Sequence, residues 1–481
     1  MNKNKNILSF PDKSSSWDEV TDIIVIGSGF AGLTAAIEAR NAGTSVIILE
    51  KMKAVGGNSI ISDGGIAASE TKLQKKFNIN DSKDMMYTDM LNAGDLINYP
   101  ELVRVVVDNA NDAFEWSQEY LGVEYLDRVD QFGGHCVPRC YTAKNISGAT
   151  IIKKLKEKVE ELGTSVRLQM CFKSFIQDSE GRVCGVIVRE NYDYKNPDAG
   201  RDIYIKAEKG VILAAGGFSS DIEFRMAQDP RLTEKIDTTN KPFATAQALK
   251  EALRIGATPV QLSHIQLGPW ASPDEKGYGN GPEFSEYILF QYGIIVDPVT
   301  GGRFINELAD RKTLSDKILS VGHPCVGIAD SKAVNESGWS IEKCLKKGVV
   351  KKFNTIKEFA VFYDISYENL EESLKVFNKS FEQGRDKCFG KPIIDNAKPI
   401  MQTPFYGIRL WPKVHYTMGG IRINVLGQVI DLEGKVLEGL YAAGEITGGI
   451  HGASRLGSCA ITECLVFGRI AGKNAAEKFS L

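Results

Sequence analysis

The sequence predicts an α/β fold, and three observations support this prediction. Near the amino terminus, Asp22 and the apolar run 23–26 are followed by glycines at positions 27, 29 and 32 and then by a helix-like segment. Two later apolar runs, 211–215 and 440–443, also end at glycines. Several other segments carry apolar residues at helical spacing. Short buried strands that end on glycine turns and alternate with helices are typical of α/β domains.

The glycines of the first turn indicate a dinucleotide-binding site. Gly27 allows a tight turn, Gly29 lets the backbone approach a pyrophosphate, and Gly32 lets the helix pack on the strand. A second apolar strand, 44–49, follows the helix and ends at Glu50, an acid placed to accept hydrogen bonds from a ribose. Strand, glycines, helix, strand and acid in this order predict a Rossmann-like domain.

The segments that follow continue this pattern. Pro100 begins a helix whose apolar stripe runs from Leu102 to Phe114. The further elements predicted in chain order are a helix from about Ala149 to Gly163, strands at 166–170, 175–177 and 183–190, a buried strand at 210–215, and a final helix from about Ser458 to Lys478.

Residues 270 to about 400 differ in character from the rest of the chain. They are rich in aromatic residues and have weaker periodicity, with helical runs at 356–363 and 370–382. We therefore predict that a nucleotide-binding domain, at 1–265 and 404–481, is interrupted by an inserted α+β domain at 266–403.

Composition excludes several classes of protein. The net charge of −3 gives no reason to expect a nucleic-acid or anionic-membrane partner. The longest apolar stretches, around Ile23 and Val211, are too short for a membrane span, and residues 1–20 carry no apolar signal core. The nine cysteines are scattered, so we expect reduced thiols in a cytoplasmic protein and no metal site. No CxxCH haem motif or clustered cysteine run is present, so the electron carrier is predicted to be another molecule.

Six segments together carry a resemblance to a known family: 27–32, 56–59, 214–218, 302–311, 415–420 and 442–472. In them the chain resembles the flavoprotein subunits of the fumarate reductase and succinate dehydrogenase family. It is most similar to the soluble flavocytochrome c-type reductases and their relatives, the urocanate reductases and ketosteroid dehydrogenases. The resemblance implies FAD and a capping domain that closes over the substrate. With the glycine motif, it gives these predicted FAD contacts: Gly27, Gly29, Phe30, Ala31, Gly32, Glu50, Lys51, Gly56, Gly57, Asn58, Ser59, Gly64, Gly65, Ala215, Gly216, Gly444, Glu445, Ser458, Ala460 and Ile461.

The resemblance also implies catalytic roles for three residues. Arg455 matches the arginine that binds a substrate carboxylate in the fumarate reductases, and His415 matches a histidine that helps to hold the same group. A structural ion pair for Arg455 and a core or flavin-contacting role for His415 remain the alternatives. Arg311 matches the arginine assigned as proton donor, although a guanidinium barely gives up its proton and by itself suggests an electrostatic clamp.

The substrate segments depart from the family pattern. Gly268 stands where a fumarate reductase carries a second carboxylate-binding histidine, and the family's Thr-Glu-x-x-Arg is missing. Glu283 or Glu286 is a candidate replacement for the lost glutamate. A substrate with one carboxylate and an apolar or aromatic other end suits this exchange. The predicted substrate contacts are Trp270, Tyr287, Tyr292 and Tyr416.

These observations predict an FAD-dependent ene-reductase. It would transfer a hydride from reduced flavin N5 to the double bond of an α,β-unsaturated carboxylate other than fumarate, with an arginine as proton donor. The electron donor would be a separate protein or a reduced flavin. A 3-ketosteroid-type dehydrogenase is the alternative, although a neutral ketone has no need of Arg455. A non-catalytic electron-transfer flavoprotein subunit is the third reading.

Overall fold

The computed structural model describes residues 17–394 and 396–477, which form two compact units. Of the described residues, the first unit contains 17–231, 241–265 and 416–477, and the second unit contains 232–240 and 266–415. The second unit thus takes in 232–240 and 404–415, which the sequence-based boundaries assigned to the nucleotide-binding domain. The expected lack of a signal core in residues 1–20 falls largely outside the described residues, as does Lys478.

The strands alternate with helices along most of the chain. In chain order they are β1 (Glu19–Ile26), β2 (Val46–Glu50), β3 (Gly65–Ala67), β4 (Cys140–Thr142), β5 (Val166–Leu168), β6 (Cys171–Gln177), β7 (Val183–Glu190), β8 (Arg201–Leu213), β9 (Pro259–Val260), β10 (Ile265–Gly268), β11 (Ile294–Val296), β12 (Cys325–Asp330), β13 (Lys351–Phe353), β14 (Phe405–Leu410), β15 (Lys413–Thr417), β16 (Gly420–Ile421), β17 (Gln428–Ile430) and β18 (Val436–Ala442).

The helices range from single turns to twenty residues. Within 17–394 and 396–477, no helix has both the length and the apolar character needed to cross a bilayer. In chain order they are α1 (Phe30–Asn41), α2 (Lys72–Lys76), α3 (Lys83–Ala93), α4 (Pro100–Glu119), α5 (Gly148–Glu161), α6 (Ile222–Gln228), α7 (Gln247–Arg254), α8 (Gly281–Phe284), α9 (Phe290–Tyr292), α10 (Arg311–Val321), α11 (Ser331–Ser337), α12 (Glu342–Lys347), α13 (Ile356–Tyr363), α14 (Tyr367–Gln383) and α15 (Cys459–Ala476), with a 3₁₀ turn at Gly57–Ile61 and a π-helical turn at Ser285–Leu289.

The first unit is built on an eight-stranded mixed sheet. Its main path is β17–β18–β8–β1–β2–β5, and β7 and β6 extend from β8. β1 is parallel to both β2 and β8, which places Ile24 opposite Ile47 and Val211. Strands that are covered on both faces read as continuous apolar runs, as these do. β18 is parallel to β8, so the carboxyl ends of β1, β2, β8 and β18 meet at one edge of the sheet.

Helices α1 and α15 of the first unit pack closely against each other. A Cβ atom on Gly468 would lie 2.8 Å from the carbonyl oxygen of Ala31, and one on Gly472 would overlap the carbonyl oxygen of Ala35. Small residues at this spacing therefore let the two helix backbones approach, which fixes the amino-terminal ends of both helices relative to the sheet.

The second unit contains the antiparallel sheet β11–β12–β14–β13. Its apolar core joins Ile294 and Ile328 of the sheet to Phe359 of α13 and Leu370 of α14. Because β14 pairs with both β12 and β13, residues 405–410 belong to this unit. The sheet with its separate helices gives the second unit its α+β character.

The predicted α/β fold class is confirmed, and the predicted helices differ from the observed ones by a few residues at their ends. Several predicted strands have different limits in the structure, and three of them differ for a local reason. The strand predicted at 166–170 ends at Leu168 because Gln169 has a positive φ of 58°. The strand predicted at 175–177 begins at Cys171, where it pairs with β7. The buried strand predicted at 210–215 begins at Arg201, since its first half pairs with β7, and ends at Leu213.

Candidate active site

The glycine turn after β1 leaves no room for larger residues. Gly27 has a φ of +106°, and a Cβ atom there would overlap the carbonyl oxygen of Ala214. A Cβ atom on Gly32 would in turn overlap the carbonyl oxygen of Gly27. The turn leads directly into α1, whose first backbone N–H groups have no partner within the helix. These features suit a pyrophosphate, because helix N–H groups and the positive end of the helix dipole attract it.

Glu50 at the end of β2 organises this turn from within. The buried carboxylate accepts hydrogen bonds from the hydroxyl of Ser28 at 2.6 Å and from the backbone N–H of Met52 at 2.9 Å. The Ser28 hydroxyl oxygen also accepts from the N–H of Gly56 at 2.9 Å. Each carboxylate oxygen can accept a further hydrogen bond, so these bonds are compatible with the predicted contact to a ribose hydroxyl. That contact stays a prediction.

The structure brings most of the predicted FAD contacts together at the carboxyl edge of the sheet. Ser59 Oγ accepts a hydrogen bond from the N–H of Phe30 at 3.1 Å, and Asn58 Oδ1 accepts one from the N–H of Lys241 at 2.8 Å. A Cβ atom on Gly65 would lie 2.8 Å from Ser458 Oγ, so the segment at β3 borders the start of α15. The remaining predicted contacts are Gly29, Ala31 and Gly32 at the start of α1, Lys51 after β2, Gly56 and Gly57 before the 3₁₀ turn, Gly64 before β3, Ala215 and Gly216 after β8, Gly444 and Glu445 after β18, and Ala460 and Ile461 in the first turn of α15.

Two of the predicted FAD contacts are partly buried ionisable groups. Glu445 accepts hydrogen bonds from the backbone N–H and the hydroxyl of Thr417 at 2.9 and 3.2 Å. Burial raises the pKa of Glu445 to about 7, so this carboxyl group is partly protonated near neutrality. Lys51 donates to the carbonyl oxygen of Phe243 at 2.5 Å, and burial lowers its pKa.

Arg455 is held inside the first unit against an aromatic ring. Arg455 is only 5 % exposed, and its guanidinium carbon is 4.7 Å from the centroid of the Tyr416 ring. Nη1 donates a hydrogen bond to the carbonyl oxygen of Leu456 at 2.8 Å. Stacking of this kind fixes the plane of a guanidinium, which is the geometry needed to grip a carboxylate with two parallel hydrogen bonds.

Tyr416 is fixed in turn by Glu463, which sequence analysis missed. The buried Tyr416 hydroxyl donates to Glu463 Oε2 at 3.1 Å, and burial raises the pKa of Tyr416 well above its ordinary value. Thr447 Oγ1 donates to the other carboxylate oxygen at 3.3 Å, and His451 Nε2 lies 3.3 Å from Oε2. An acid among the apolar residues of α15 was the available sequence signal, because a carboxylate that becomes buried requires such partners.

In the second unit, Arg311 opens α10 and forms an ion pair with Glu286. Glu286 belongs to the π-helical turn Ser285–Leu289, a kind of turn that is frequent at functional sites. The sequence leaves Glu283 and Glu286 as candidate replacements for the glutamate of the missing motif. Glu283 instead lies 3.4 Å from Lys343. The structure therefore places Glu286, rather than Glu283, against Arg311.

The predicted residues His415 and Trp270 also lie in the second unit. His415 Nδ1 is 2.9 Å from Thr239 Oγ1, and Asn240 Nδ2 donates to the His415 carbonyl oxygen at 2.8 Å. The Trp270 indole contacts the His415 ring with centroids 4.8 Å apart and an interplanar angle of 81°. We call Gly268, Trp270, Arg311 and His415 the tryptophan cluster.

The two other predicted aromatic contacts of the second unit have neighbours of their own. Tyr287 stacks on Trp339, with ring centroids 4.2 Å apart and planes 12° from parallel. The hydroxyl of Tyr292 accepts a hydrogen bond from Asn396 Nδ2 at 3.0 Å. Both tyrosines are buried, so packing with these neighbours accounts for their position. Contact with substrate stays a prediction for both.

Comparison with known proteins gives consistent matches over nearly the whole chain. A family described as FAD binding domain matches residues 22–461. The acrylate reductase flavoprotein subunit of Shewanella woodyi is 43% identical over 464 residues, which cover 95% of this chain and 91% of that protein. The urocanate reductase of Eggerthella lenta is 34% identical over 471 residues, covering 95% of this chain and 74% of that protein.

Solved structures match the fold. The open conformation of a flavocytochrome c3 fumarate reductase superposes with a TM-score of 0.78 and 31% identity, covering 96% of this chain and 79% of that one. A 3-ketosteroid-delta4-(5alpha)-dehydrogenase from Rhodococcus jostii RHA1 superposes with a TM-score of 0.77 over 97% of this chain and 99% of that one. At 22% identity, the second match reports the fold alone.

Proposed function

The chain belongs to the FAD binding domain family, within the group of the fumarate reductase flavoproteins, and we propose that it reduces the double bond of a short α,β-unsaturated monocarboxylate. It is an FAD-dependent oxidoreductase that acts on CH–CH bonds, so the predicted family, cofactor and enzyme class are confirmed. Acrylate is the first substrate to test, because the relative that is 43% identical is named an acrylate reductase.

The observation that carries the proposal is the buried guanidinium of Arg455, stacked on Tyr416. A planar guanidinium held over an aromatic ring can bind a carboxylate with two parallel hydrogen bonds, and a substrate carboxylate is such a group. A neutral steroid ketone offers no comparable partner, which argues against the dehydrogenase alternative.

A single carboxylate is favoured over two by the sequence at positions 268 and 270. Gly268 has no side chain with which to bind a second carboxylate, and Trp270 is apolar except for one N–H group. A dicarboxylate such as fumarate would leave one charged end without the partner that the family supplies there. Unpaired charge in a buried site costs several kcal/mol, by order of magnitude.

Bound FAD supplies the hydride for the reaction. Arg455 holds the substrate carboxylate and stabilises the negative charge that develops on it as the double bond is reduced. The amino-terminal end of α15 lies next in the chain and adds the positive end of its helix dipole to the same unit.

Arg311 is the proposed proton donor to the neighbouring carbon, on the strength of the family resemblance. A guanidinium gives up its proton rarely, and an adjacent carboxylate favours its charged form further. Glu286 is paired with Arg311 and its side chain is 12 % exposed, so it can take up a proton from solvent and pass it to Arg311 after each turnover. Arg311 and Glu286 are therefore proposed to act as a relay.

The electron donor is proposed to be a separate protein or a reduced flavin. The sequence contains neither a CxxCH haem motif nor a clustered run of cysteines. The name of the acrylate reductase relative describes it as a flavoprotein subunit, which favours a protein donor. A cytoplasmic location remains the prediction from the scattered cysteines.

The proposal is tested by anaerobic oxidation of reduced viologen with acrylate, fumarate, urocanate and a 3-ketosteroid. We expect turnover with acrylate, and loss of kcat/KM by about 100-fold or more in Arg455→Met, because truncating one partner of a buried charge pair costs 2–5 kcal/mol. Arg422→Met is the matched control, since Arg422 also stacks on a tyrosine of the first unit, with its guanidinium carbon 5.5 Å from the Tyr99 ring. Turnover of the ketosteroid alone, or equal activity in Arg455→Met, would refute the proposal.

A further inference from the structure

We propose that Trp270 sets the size limit of the substrate, because its indole fills the space beside Arg311 and His415 that a larger group on the β-carbon would need. The inference rests on the proposed function and narrows its substrate class. Enoates with hydrogen or a methyl group at the β-carbon are accepted, whereas those with a second carboxylate, or with the β-aryl group that the sequence alone allowed, are excluded.

The indole borders both residues to which the resemblance gives catalytic roles in this unit. The guanidinium carbon of Arg311 is 5.9 Å from the indole centroid, and the His415 ring meets it edge to face at 4.8 Å. The Tyr278 ring is a third neighbour, at 5.4 Å. A substrate that reaches Arg311 and His415 therefore meets the indole as the wall of its site.

Gly268 shows how closely the indole fills this space. A Cβ atom on Gly268 would lie 2.8 Å from Cη2, 2.9 Å from Cζ2 and 3.0 Å from Cζ3 of Trp270. Contacts this short do not occur between real side chains, so any larger residue at 268 has to displace the indole. The absence of a side chain at 268 therefore makes room for the large side chain at 270.

The backbone of Trp270 is held firmly in place. The hydroxyl of Ser285 donates a hydrogen bond to the Trp270 carbonyl oxygen at 2.6 Å, and Trp411 N–H donates to that of Ala271 at 2.9 Å. Ser285 belongs to the same π-helical turn as Glu286, the partner of Arg311. One turn therefore positions both the indole and the proposed proton relay.

The indole nitrogen indicates that Trp270 is not an ordinary core residue. Trp270 is 1 % exposed, and its Nε1–H has no hydrogen-bond partner among the residues that the structure describes. Leaving a buried donor unsatisfied costs about 1–3 kcal/mol, and native cores rarely retain one. Departures from core rules are expected at functional sites, where a side chain serves a ligand.

The test compares kcat/KM for acrylate, crotonate and cinnamate, which differ only in the group on the β-carbon. We expect the wild type to turn over acrylate but not cinnamate. Trp270→Ala should shift the ratio of the kcat/KM values for acrylate and cinnamate toward cinnamate by about 10-fold or more, because even one methylene group in a pocket discriminates by about 10–200-fold. Trp270→Phe, which disturbs folding less, should shift it in the same direction by a smaller factor. Trp339→Ala is the matched control, since it removes another buried tryptophan of the same unit.

Two further outcomes separate this inference from the proposed function. Gly268→Ala should alter the ratio in the wild type and have no added effect in Trp270→Ala, where the clash is gone. Flavin absorbance titrations with the same acids report binding even where turnover is lost. Equal selectivity in the wild type, Trp270→Ala and Trp270→Phe would overturn the size limit while leaving the reductase intact. A wild type that turns over no enoate would refute the proposed function. The titrations would still test whether Trp270 limits the size of the acids that bind.

Discussion

The glycine turn of the first unit and the tryptophan cluster of the second unit are built from different parts of the chain. Around Gly27 the backbone determines the shape of the turn, because neighbouring backbone atoms fill the space that a side chain would need. In the tryptophan cluster, side chains from positions 268 to 415 meet through tertiary structure.

The contrast explains why one region keeps the family pattern and the other departs from it. A dinucleotide is the same molecule in every member of the family, and a backbone turn that recognises pyrophosphate tolerates little change. Substrates vary, and exchanging a few side chains such as those at 268 and 270 changes the volume and charge of a site without altering the fold. Four predictions test this contrast, from the largest expected effect to the smallest.

Gly27→Ala should abolish FAD binding, because the new methyl group would overlap the carbonyl oxygen of Ala214 and the φ of +106° is strained for alanine. Gly43→Ala is the matched control. Gly43 has a φ of +81°, but no atom lies within 4 Å of a Cβ there, so we expect only about 1 kcal/mol of destabilisation. Flavin absorbance after desalting measures the effect, and a Gly27→Ala protein with full flavin content would break the comparison.

Arg311→Ala should lower kcat by about 100-fold or more, within the range expected for loss of a general acid. Glu286→Gln should also lower kcat, because it keeps a hydrogen bond to Arg311 but cannot pass a proton to it. Lys312→Ala, the next residue in α10, serves as control. Steady-state kinetics with acrylate measure the effect, and a normal kcat in Arg311→Ala would show that this unit contributes binding without proton transfer.

His135 should make the first unit sensitive to acid. Its buried ring donates to the carbonyl oxygen of Gly457 at 3.0 Å and accepts from Arg139 at 3.3 Å, and burial lowers its pKa to about 4. Since the unfolded chain binds this proton near pH 6.5, the stabilisation is complete above that pH and is lost as the pH falls toward 4. The free energy of unfolding in urea should be about 2 kcal/mol lower at pH 5 than at pH 7 because of this group. A His135→Gln protein with the same pH dependence would contradict the assignment.

Tyr416→Phe should have the smallest effect. It removes the hydrogen bond to Glu463, worth about 1 kcal/mol of stability, but keeps the ring beneath Arg455. Tyr416→Leu loses the ring as well, so the KM for acrylate should rise further in this variant. Thermal unfolding and KM measured on both variants separate the two contributions, and identical KM values would show that stacking does not position Arg455.

Local sequence patterns were sufficient for the glycine turn and the elements on either side of it. The strand, turn and helix at 19–41 depend on neighbours within a few residues, so their spacing could be interpreted directly. Glu463 and His451 escaped notice because their role exists only where α15 meets the segment that carries Tyr416. Position alone could not choose between Glu283 and Glu286, since the choice depends on which face of the π-helical turn meets Arg311.

The sequence by itself determined the α/β class and the glycine turn, because both follow from residues close together in the chain, and its resemblance to a known family over six segments implied FAD. Only the tertiary structure decided which carboxylate pairs with Arg311, which ring supports Arg455, and that the indole of Trp270 occupies the space beside Gly268. Contacts between residues far apart in sequence depend on packing, and packing is set by the whole fold rather than by any local pattern.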